Sequence, residues 1–274
     1  MIKFRSPFTS MIKSTLTWLV LSLCVVVRAE QLPAEFVLAY VGDNKSSAFR
    51  GVQQGLAEAN IQGRFLGQRH KLVWMESSEK IPAAITAVLV ASDAKSLREL
   101  SERNPTLPIF NLTMENDELR EACLPNVLHI LPSTKMKRDA ITQWQVKHPN
   151  ARVSALAWHP SFKKYAGEQL NKRFKKTQHR PMDDYSWAGW VAVRMIADTA
   201  ARIQTNDPKR TLDFLRTELK FDGQKGTDMS FRQTGQLRQI LLLVERDKIV
   251  GEAPVQGVVD PENLDSLGFS DCSK

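Results

Sequence analysis

The sequence of 274 residues contains only three cysteines and five histidines, which limits the chemistry it can carry. No two histidines have the spacing of metal ligands on one helix, and the zinc-protease sequence H-E-x-x-H does not occur. The hydrolase sequence G-x-S-x-G is missing, as are the nucleotide-binding sequences G-x-x-x-x-G-K-S/T and G-x-G-x-x-G. We therefore expect no metal site, no cofactor and no enzymatic activity.

The sequence also lacks a hydrophobic run of the ~20 residues that span a membrane. Its longest apolar stretch is LTWLVLSLCVVV, which follows three basic residues and no acidic residue near the N-terminus. This pattern is typical of a secretory signal peptide, and we expect residues 1–29 to be removed by cleavage after Ala29. Lipid attachment at Cys24 and a retained N-terminal anchor are the alternatives. After cleavage we expect no stable membrane insertion.

The excess of positive charge is modest. Cleavage would remove four of the 38 basic residues and no acidic residue, which leaves 34 basic and 30 acidic residues and a formal charge of +4. So small an excess does not require a nucleic-acid partner, and export makes one less expected still. The remaining chain, about 245 residues, is long enough to bury the core of one large domain or two small ones.

Two cysteines, Cys123 and Cys272, would remain in the exported chain. Two cysteines in an oxidising compartment most simply form one disulfide, and two unrelated thiols are the alternative. A bond between them would close most of the mature chain into a loop, which the chain-entropy model credits with ~5 kcal/mol.

Strand and helix signals alternate along the first half of the chain. The strand signals are FVLAYVGD, HKLVWMES, AVLVAS, LPIFNLT and NVLHIL. Strands separated by helices of about 8 to 15 residues predict an α/β fold with a parallel sheet covered on both faces. Ligands of such sheets bind beyond the carboxyl ends of the strands, and all five ends here are polar. These polar ends indicate a small-molecule cleft. Polar residues at such positions are also typical of ordinary helix caps, as Ser46 or Ser47 would be.

The pattern changes after Pro149. A strand at ARVSALAWHP precedes a basic helix predicted over residues 161–180 and a long apolar helix at DYSWAGWVAVRMIADTAARIQ. We interpret the basic helix as a solvated face, with a docking surface for acidic partner loops or anionic headgroups as the alternative. Two strands joined by a turn at Thr234-Gly235 are predicted further on.

The order of strands and helices, the export signal and the two polar strand ends VASDAKS and FNLTMENDELRE resemble type I periplasmic binding proteins. These are the leucine/isoleucine/valine-binding type that serves ABC importers. A closer likeness lies in four segments, which are NLTMENDELREACLPNVLHILPSTKMKRDA, ALAWHPSFKKYAGEQLNKRF, RPMDDYSWAGWVAVR and KGTDMSFRQTGQLRQILLL with the later LDSLGF. They are similar to ABC-transporter binding proteins associated with pyrroloquinoline-quinone-dependent alcohol oxidation.

The resemblance implies a two-lobed, hinged ligand-binding fold in the periplasm of a Gram-negative bacterium. It also implies reversible binding of a small molecule of unknown identity, without turnover. An ABC permease or a periplasmic dehydrogenase is the expected protein partner.

One difference from this family concerns the second lobe. Family members usually have a further series of strands and helices before the segment like ALAWHP, where this chain has only STKMKRDAITQWQVKHPNARVS. We therefore expect a first βα lobe at residues 30–133. Residues 134–274 would form a reduced second lobe, with helices and a C-terminal hairpin that returns to the first lobe. The reduction motivates an alternative function, an accessory or scaffold protein of the same system that has lost ligand capture.

The resemblance also transfers ligand-binding positions from the ends of the third and fourth strands. Two further candidates rest only on their position at the end of the first strand. The predicted ligand-binding residues are Ser92, Asp93, Thr113, Met114, Tyr40 and Asp43. In branched-chain amino-acid binders, small or polar residues stand at the positions of Asp93 and Met114. An α-carboxylate would therefore meet a nearby negative charge here, which argues against ordinary amino-acid specificity.

Overall fold

The computed structural model of the protein describes residues 34–272, so the predicted signal peptide, its cleavage site and Cys24 lie outside the described residues. In chain order the elements are β1 (Ala34–Gly42), α1 (Ser47–Leu66), β2 (Gln68–Met75), β3 (Ile85–Ala91), α2 (Ala94–Arg103), β4 (Ile109–Asn111), α3 (Asp117–Glu121), β5 (Val127–His129), α4 (Thr134–Lys147), β6 (Ser154–Leu156), α5 (Gly167–Gln178), α6 (Asp184–Ile203), α7 (Pro208–Thr217), β7 (Leu241–Glu245) and β8 (Lys248–Ala253). None of these helices is both long and apolar enough to cross a membrane.

The first five strands form one parallel sheet, which confirms the predicted α/β fold. The strand order is β2-β1-β3-β4-β5, with β1 paired to both β2 and β3. The inner-strand side chains of Leu38, Leu89 and Phe110 have no exposed surface, because helices cover both faces of the sheet. Since all five strands run in the same direction, their carboxyl ends meet at one edge.

Two 20-residue helices, α1 and α6, pack side by side on one face of this sheet. They approach closely at glycines. A Cβ on Gly189 would overlap the backbone of Ala48, and a Cβ on Gly55 would crowd the side chain of Val193. These contacts advance along both helices in the same direction, so α1 and α6 run parallel and begin next to each other. Because β1 leads directly into α1, both helices begin at the carboxyl edge of the sheet.

The second sheet is antiparallel, and in the described chain it has three strands in the order β6-β7-β8. Alternate residues of its middle strand belong to different cores. Leu242 and Val244 join the core that contains α1 and α6, whereas Leu241 and Leu243 pack with α4. The middle strand therefore connects this small sheet to the rest of the protein.

The structure corrects the start of the basic helix. The sequence pattern predicts this helix over residues 161–180, but α5 begins only at Gly167. Tyr165 and Ala166, just before it, have positive φ angles of 49° and 67°, which a right-handed helix does not admit. Residues 161–166 therefore form a separate turn between β6 and α5.

The predicted hairpin around Thr234-Gly235 is also wrong in part. A turn is present there, but the segments on its two sides pair at a single isolated bridge, between Phe231 and Leu237, and do not form two strands. The amide of His129 donates to the carbonyl of Gly235 at 2.8 Å, and the amide of Leu237 donates to the carbonyl of His129 at 3.0 Å. The segment thus pairs with β5 of the first sheet, and the regular hairpin forms later, between β7 and β8.

The predicted disulfide is confirmed. Cys123, just after α3, is bonded to Cys272, and their Cα atoms lie 6.0 Å apart. The tail is held a second time by the buried side chain of Arg232. Its guanidinium donates to the carbonyl of Leu267 at 2.6 Å and lies 2.8 Å from the carboxylate of Asp265.

We predict that Gly189→Ala destabilises the protein, because the new methyl group would overlap the backbone of α1. The expected loss is about 1–3 kcal/mol of unfolding free energy, although alanine is the better helix former. Ala57→Val, which adds bulk to the exposed side of α1, is the matched control. Urea denaturation of both variants measures the difference, and equal stability of the two would contradict the close approach of the helices.

A second prediction concerns acid stability. His70 is buried beside Phe36, with ring centroids 5.2 Å apart, and burial together with the charge of Arg194 lowers the pKa of the imidazole to about 4. An unfolded histidine takes a proton near pH 6.5. Stability from the neutral ring is therefore complete above pH 6.5 and is lost as the pH falls toward 4.

The variant His70→Phe keeps the aromatic contact and does not titrate. Between pH 6.5 and 4 its unfolding free energy should fall less steeply than that of the unmodified protein, by up to about 1.4 kcal/mol per pH unit. Urea denaturation at pH 7, 6 and 5 measures this. Parallel pH profiles for the two proteins would rule the assignment out.

Candidate functional site

The carboxyl edge of the first sheet opens into a small cavity of about 310 Å³. Its lining comes from the starts of α1 and α6 and from the ends of β3 and β4. The lining residues are Ser46, Ser47, Ala48, Ala91, Thr113 and Tyr185. This is the position at which ligands bind to open parallel sheets, so the cavity is the candidate site.

Two of the predicted residues lie at this edge with hydroxyl groups. Thr113 lines the cavity. Ser92 directly follows the lining residue Ala91, and its hydroxyl is buried without a hydrogen-bond partner in the described part of the chain. Asp93 is engaged locally as the cap of α2, where it accepts hydrogen bonds from the amide and hydroxyl of Ser96 at 2.9 and 2.8 Å. These hydrogen bonds lower the pKa of Asp93, which therefore keeps its negative charge.

The other three predicted residues shape the loops around the cavity. Tyr40 is fully buried, its hydroxyl lies 2.9 Å from that of Ser46, and burial raises its pKa. Asp43 accepts a hydrogen bond from the amide of Lys45 at 2.8 Å. Met114 is buried, and none of the three is among the residues that line the cavity. Their contact with a ligand stays a prediction.

Sequence reasoning missed the contribution of α6. The hydroxyl of Ser47 donates to Asp183 Oδ2 at 2.7 Å, and Asp183 Oδ1 accepts the amide of Ser186 at 2.8 Å as the cap of α6. Tyr185, on the first turn of α6, is 41% exposed and lines the cavity. The two serines at the start of α1 were recognisable as helix caps. That α6 begins beside them depends on helix packing, which no local pattern reveals.

Two buried ionisable groups lie behind this edge. Asp184 accepts the amide of Trp158 at 2.6 Å, and burial raises its pKa to about 6. Lys225 donates to the side chain of Gln239 at 2.7 Å and lies 4.2 Å from the ring centre of Trp187. Burial lowers the pKa of this lysine to about 7, and the opposite charge of Asp184 partly offsets the shift. Both groups sit inside the protein, where they serve packing and hydrogen bonding.

The site thus places the hydroxyl groups of Ser46, Ser47, Thr113 and Tyr185 around a small open cavity. Among residues 34–272 there is no cluster of three histidine, cysteine or acidic side chains that could hold a metal ion. Such an arrangement can bind a small polar molecule by hydrogen bonds.

Comparison with known proteins identifies the fold. No family model and no curated protein matches the chain. Among solved structures, a branched-chain amino acid ABC transporter periplasmic ligand-binding protein from Burkholderia xenovorans LB400 aligns with a TM-score of 0.67 and 12% identity. The alignment covers 84% of this chain and 96% of that one.

Two further solved structures are similar. A periplasmic binding protein from Burkholderia mallei aligns with a TM-score of 0.66 and 10% identity, over 88% of this chain and 99% of that one. An ABC transporter substrate-binding protein from Desulfitobacterium hafniense, in complex with Leu, aligns with a TM-score of 0.61 and 12% identity, over 79% and 99%. The protein therefore has the type I periplasmic binding protein fold.

The contact between Ser47 and Asp183 generates a prediction. In a double-mutant cycle, Ser47 and Asp183 are replaced by alanine singly and together, and urea denaturation gives the unfolding free energy of each variant. We expect a coupling of about 0.5–1.5 kcal/mol, because the hydroxyl and the carboxylate share one hydrogen bond. The control is the same cycle with Ser47 and Asp207. Asp207 caps α7, and we expect no coupling between it and Ser47. A zero coupling for the first pair would show that the two helix starts do not interact.

Proposed function

We propose that this protein is the solute-binding component of a periplasmic ABC importer. It binds a small molecule reversibly and delivers it by docking to the permease, without covalent chemistry. The observation that supports this most is the type I binding fold with a hydroxyl-lined cavity at the carboxyl ends of β3 and β4. The export signal in the sequence agrees with delivery to the periplasm after cleavage at Ala29.

In this proposal the ligand contacts Thr113 and Tyr185, which both line the cavity. The hydroxyl of Ser92 is buried next to Ala91, and its contact with a ligand stays a prediction. A cavity of about 310 Å³ is at the lower limit for ligand sites, which favours a small molecule. The carboxylates of Asp93 and Asp183 lie close to this edge and disfavour an anionic ligand. We therefore expect a neutral or cationic ligand, in contrast to an ordinary amino-acid carboxylate.

The link to pyrroloquinoline-quinone-dependent alcohol oxidation rests on the sequence resemblance of the four segments described above. It makes small alcohols and aldehydes reasonable ligands and a periplasmic dehydrogenase a reasonable neighbour. The division into a first lobe at residues 30–133 and a reduced second lobe at 134–274 belongs to the same proposal. In this division the antiparallel sheet represents the reduced second lobe, and α6 with the segment at Gly235 returns to the first lobe.

A second candidate function is an accessory or scaffold protein of the same periplasmic system. The internal bonding of the cavity lining favours it. The hydroxyl of Ser46 caps α1, and that of Ser47 is donated to Asp183, so neither is free for a ligand. Hydroxyl groups that are already hydrogen-bonded within the protein contribute little to the binding of a solute.

A thermal-shift screen tests the binding proposal. The panel consists of leucine, valine, short alcohols, aldehydes, carboxylates and pyrroloquinoline quinone. A ligand at 100 times its dissociation constant should add ~2.7 kcal/mol of stability. Thr113→Val should abolish the shift, because it removes a lining hydroxyl, whereas Thr142→Val on the exposed side of α4 should keep it.

Absence of a shift with every compound would contradict ligand capture. If a dehydrogenase or permease nevertheless co-purifies with the protein, that result favours the accessory function. A shift that Thr113→Val leaves unchanged would place the ligand elsewhere on the protein.

A further inference from the structure

The second sheet has an unpaired edge. β8 pairs with β7 on one side, and no other strand of the described chain pairs with its other side. Along such an edge, alternate residues present backbone N–H and C=O groups that another extended chain can pair with.

A groove of about 640 Å³ runs along the unpaired edge. One wall is the last turn of α4, where the rings of Trp144 and His148 stack with centroids 4.1 Å apart. A Cβ on Gly251 would overlap the ring of Trp144, so this wall lies on the face of the sheet that α4 covers. The other wall contains Phe162 and Lys164, which belong to the turn before α5. Since the walls come from opposite faces of the sheet, the groove straddles the edge of β8.

The groove is positively charged. Its lining includes Lys147, Lys163 and Lys164, and the acidic residue among the lining, Glu252, is already paired with Lys164 at 2.8 Å. Lys147 donates to the carbonyl of Gln256 at 2.6 Å, which fixes its ammonium group at the rim. Lys163 is exposed and forms no ion pair within the described residues. An acidic partner would neutralise this excess charge.

Apolar surface lies between these lysines. The side chain of Val250 is 41% exposed beside the edge, at the point where a bulge interrupts the pairing of β8 with β7. Trp144 is half-buried, and Pro254 and Pro261 complete the apolar part of the lining. An extended peptide with alternating acidic and apolar side chains matches both the lysines and this apolar surface.

We propose that an extended acidic segment of a partner protein binds in this groove and adds to the unpaired edge of β8 as a further strand. Main-chain hydrogen bonds would supply affinity, and Lys163 with its neighbouring lysines would select acidic side chains. Charge also decides against a second copy of this chain. Two copies paired through β8 would bring their own lysines together, and like charges repel. The proposal does not depend on a ligand in the cavity of the first sheet.

Fluorescence anisotropy with a labelled peptide of alternating glutamate and valine tests this. The peptide should bind the unmodified protein, and a peptide of alternating lysine and valine should not. Lys163→Glu should weaken binding by about 5-fold, as a loss of about 1 kcal/mol gives. Lys176→Glu, an equal change of charge on an exposed part of α5 outside the groove, should leave binding within 2-fold, a difference too small for a direct contact.

A second peptide, N-methylated at alternate residues, separates strand pairing from charge alone. It keeps the acidic side chains and loses the N–H groups of one edge, so it should bind more weakly. Equal binding of the methylated peptide, or equal weakening by Lys176→Glu, would overturn the proposal. So would absence of binding, or a dimer in sedimentation that the peptide does not dissociate.

Discussion

The buried guanidinium of Arg120 joins three segments of the chain at the carboxyl edge of the first sheet. Its Nη1 donates to the carbonyls of Met114 and Asn116 at 2.8 and 3.0 Å, and its Nη2 donates to the carbonyl of Leu131 at 2.8 Å. Its Nε donates to the side chain of Gln236 at 2.8 Å. A buried charge is tolerable only when its donors are satisfied, and here carbonyl and amide oxygens replace water. Removal of any one segment would leave a buried donor without a partner.

This dependence explains why the C-terminal part of the chain belongs to the first sheet. Gln236, which accepts from Arg120, also donates to the carbonyls of His129 and Leu131 at 3.3 and 3.0 Å, so one amide group bridges β5 and the arginine. The disulfide at Cys123 lies three residues after Arg120 and ties the tail to the same place. The cavity rim at Thr113 is therefore supported from behind by Gln236 and by the C-terminal tail.

The protein has two surfaces with different physical character. The carboxyl edge of the parallel sheet is closely bonded, and its cavity is small and rich in hydroxyls. The edge of β8 is unpaired, flanked by lysines and partly apolar. A hydrogen-bonding cavity suits a small solute, whereas an open strand edge suits another polypeptide. The proposed solute site and the proposed docking site share no lining residue.

Local patterns in the sequence predict the parallel sheet, its five strands, four helices between and after them, and a disulfide between Cys123 and Cys272. These features rest on apolar runs, helical spacing and a count of two cysteines, all of which can be recognised in the chain without knowledge of its path. The family resemblance points to Ser92 and Thr113, and both lie at the edge of the cavity because the ends of parallel strands meet there. The sequence does not predict the start of α5, because Tyr165 and Ala166 are not residue types that favour the left-handed conformation they adopt.

Which distant segments share a surface depends on packing between helices and sheets, and no local pattern predicts it. Ser47 and Asp183 are 136 residues apart and meet because small residues let α1 and α6 approach closely. The segment at Gly235 pairs with β5 because the buried Arg120 at that edge donates a hydrogen bond to Gln236. The groove along β8 exists because α4 and the turn before α5 flank opposite faces of one edge. The local sequence of each segment is compatible with many arrangements relative to the others. Packing and buried hydrogen bonds between distant segments select one of these arrangements.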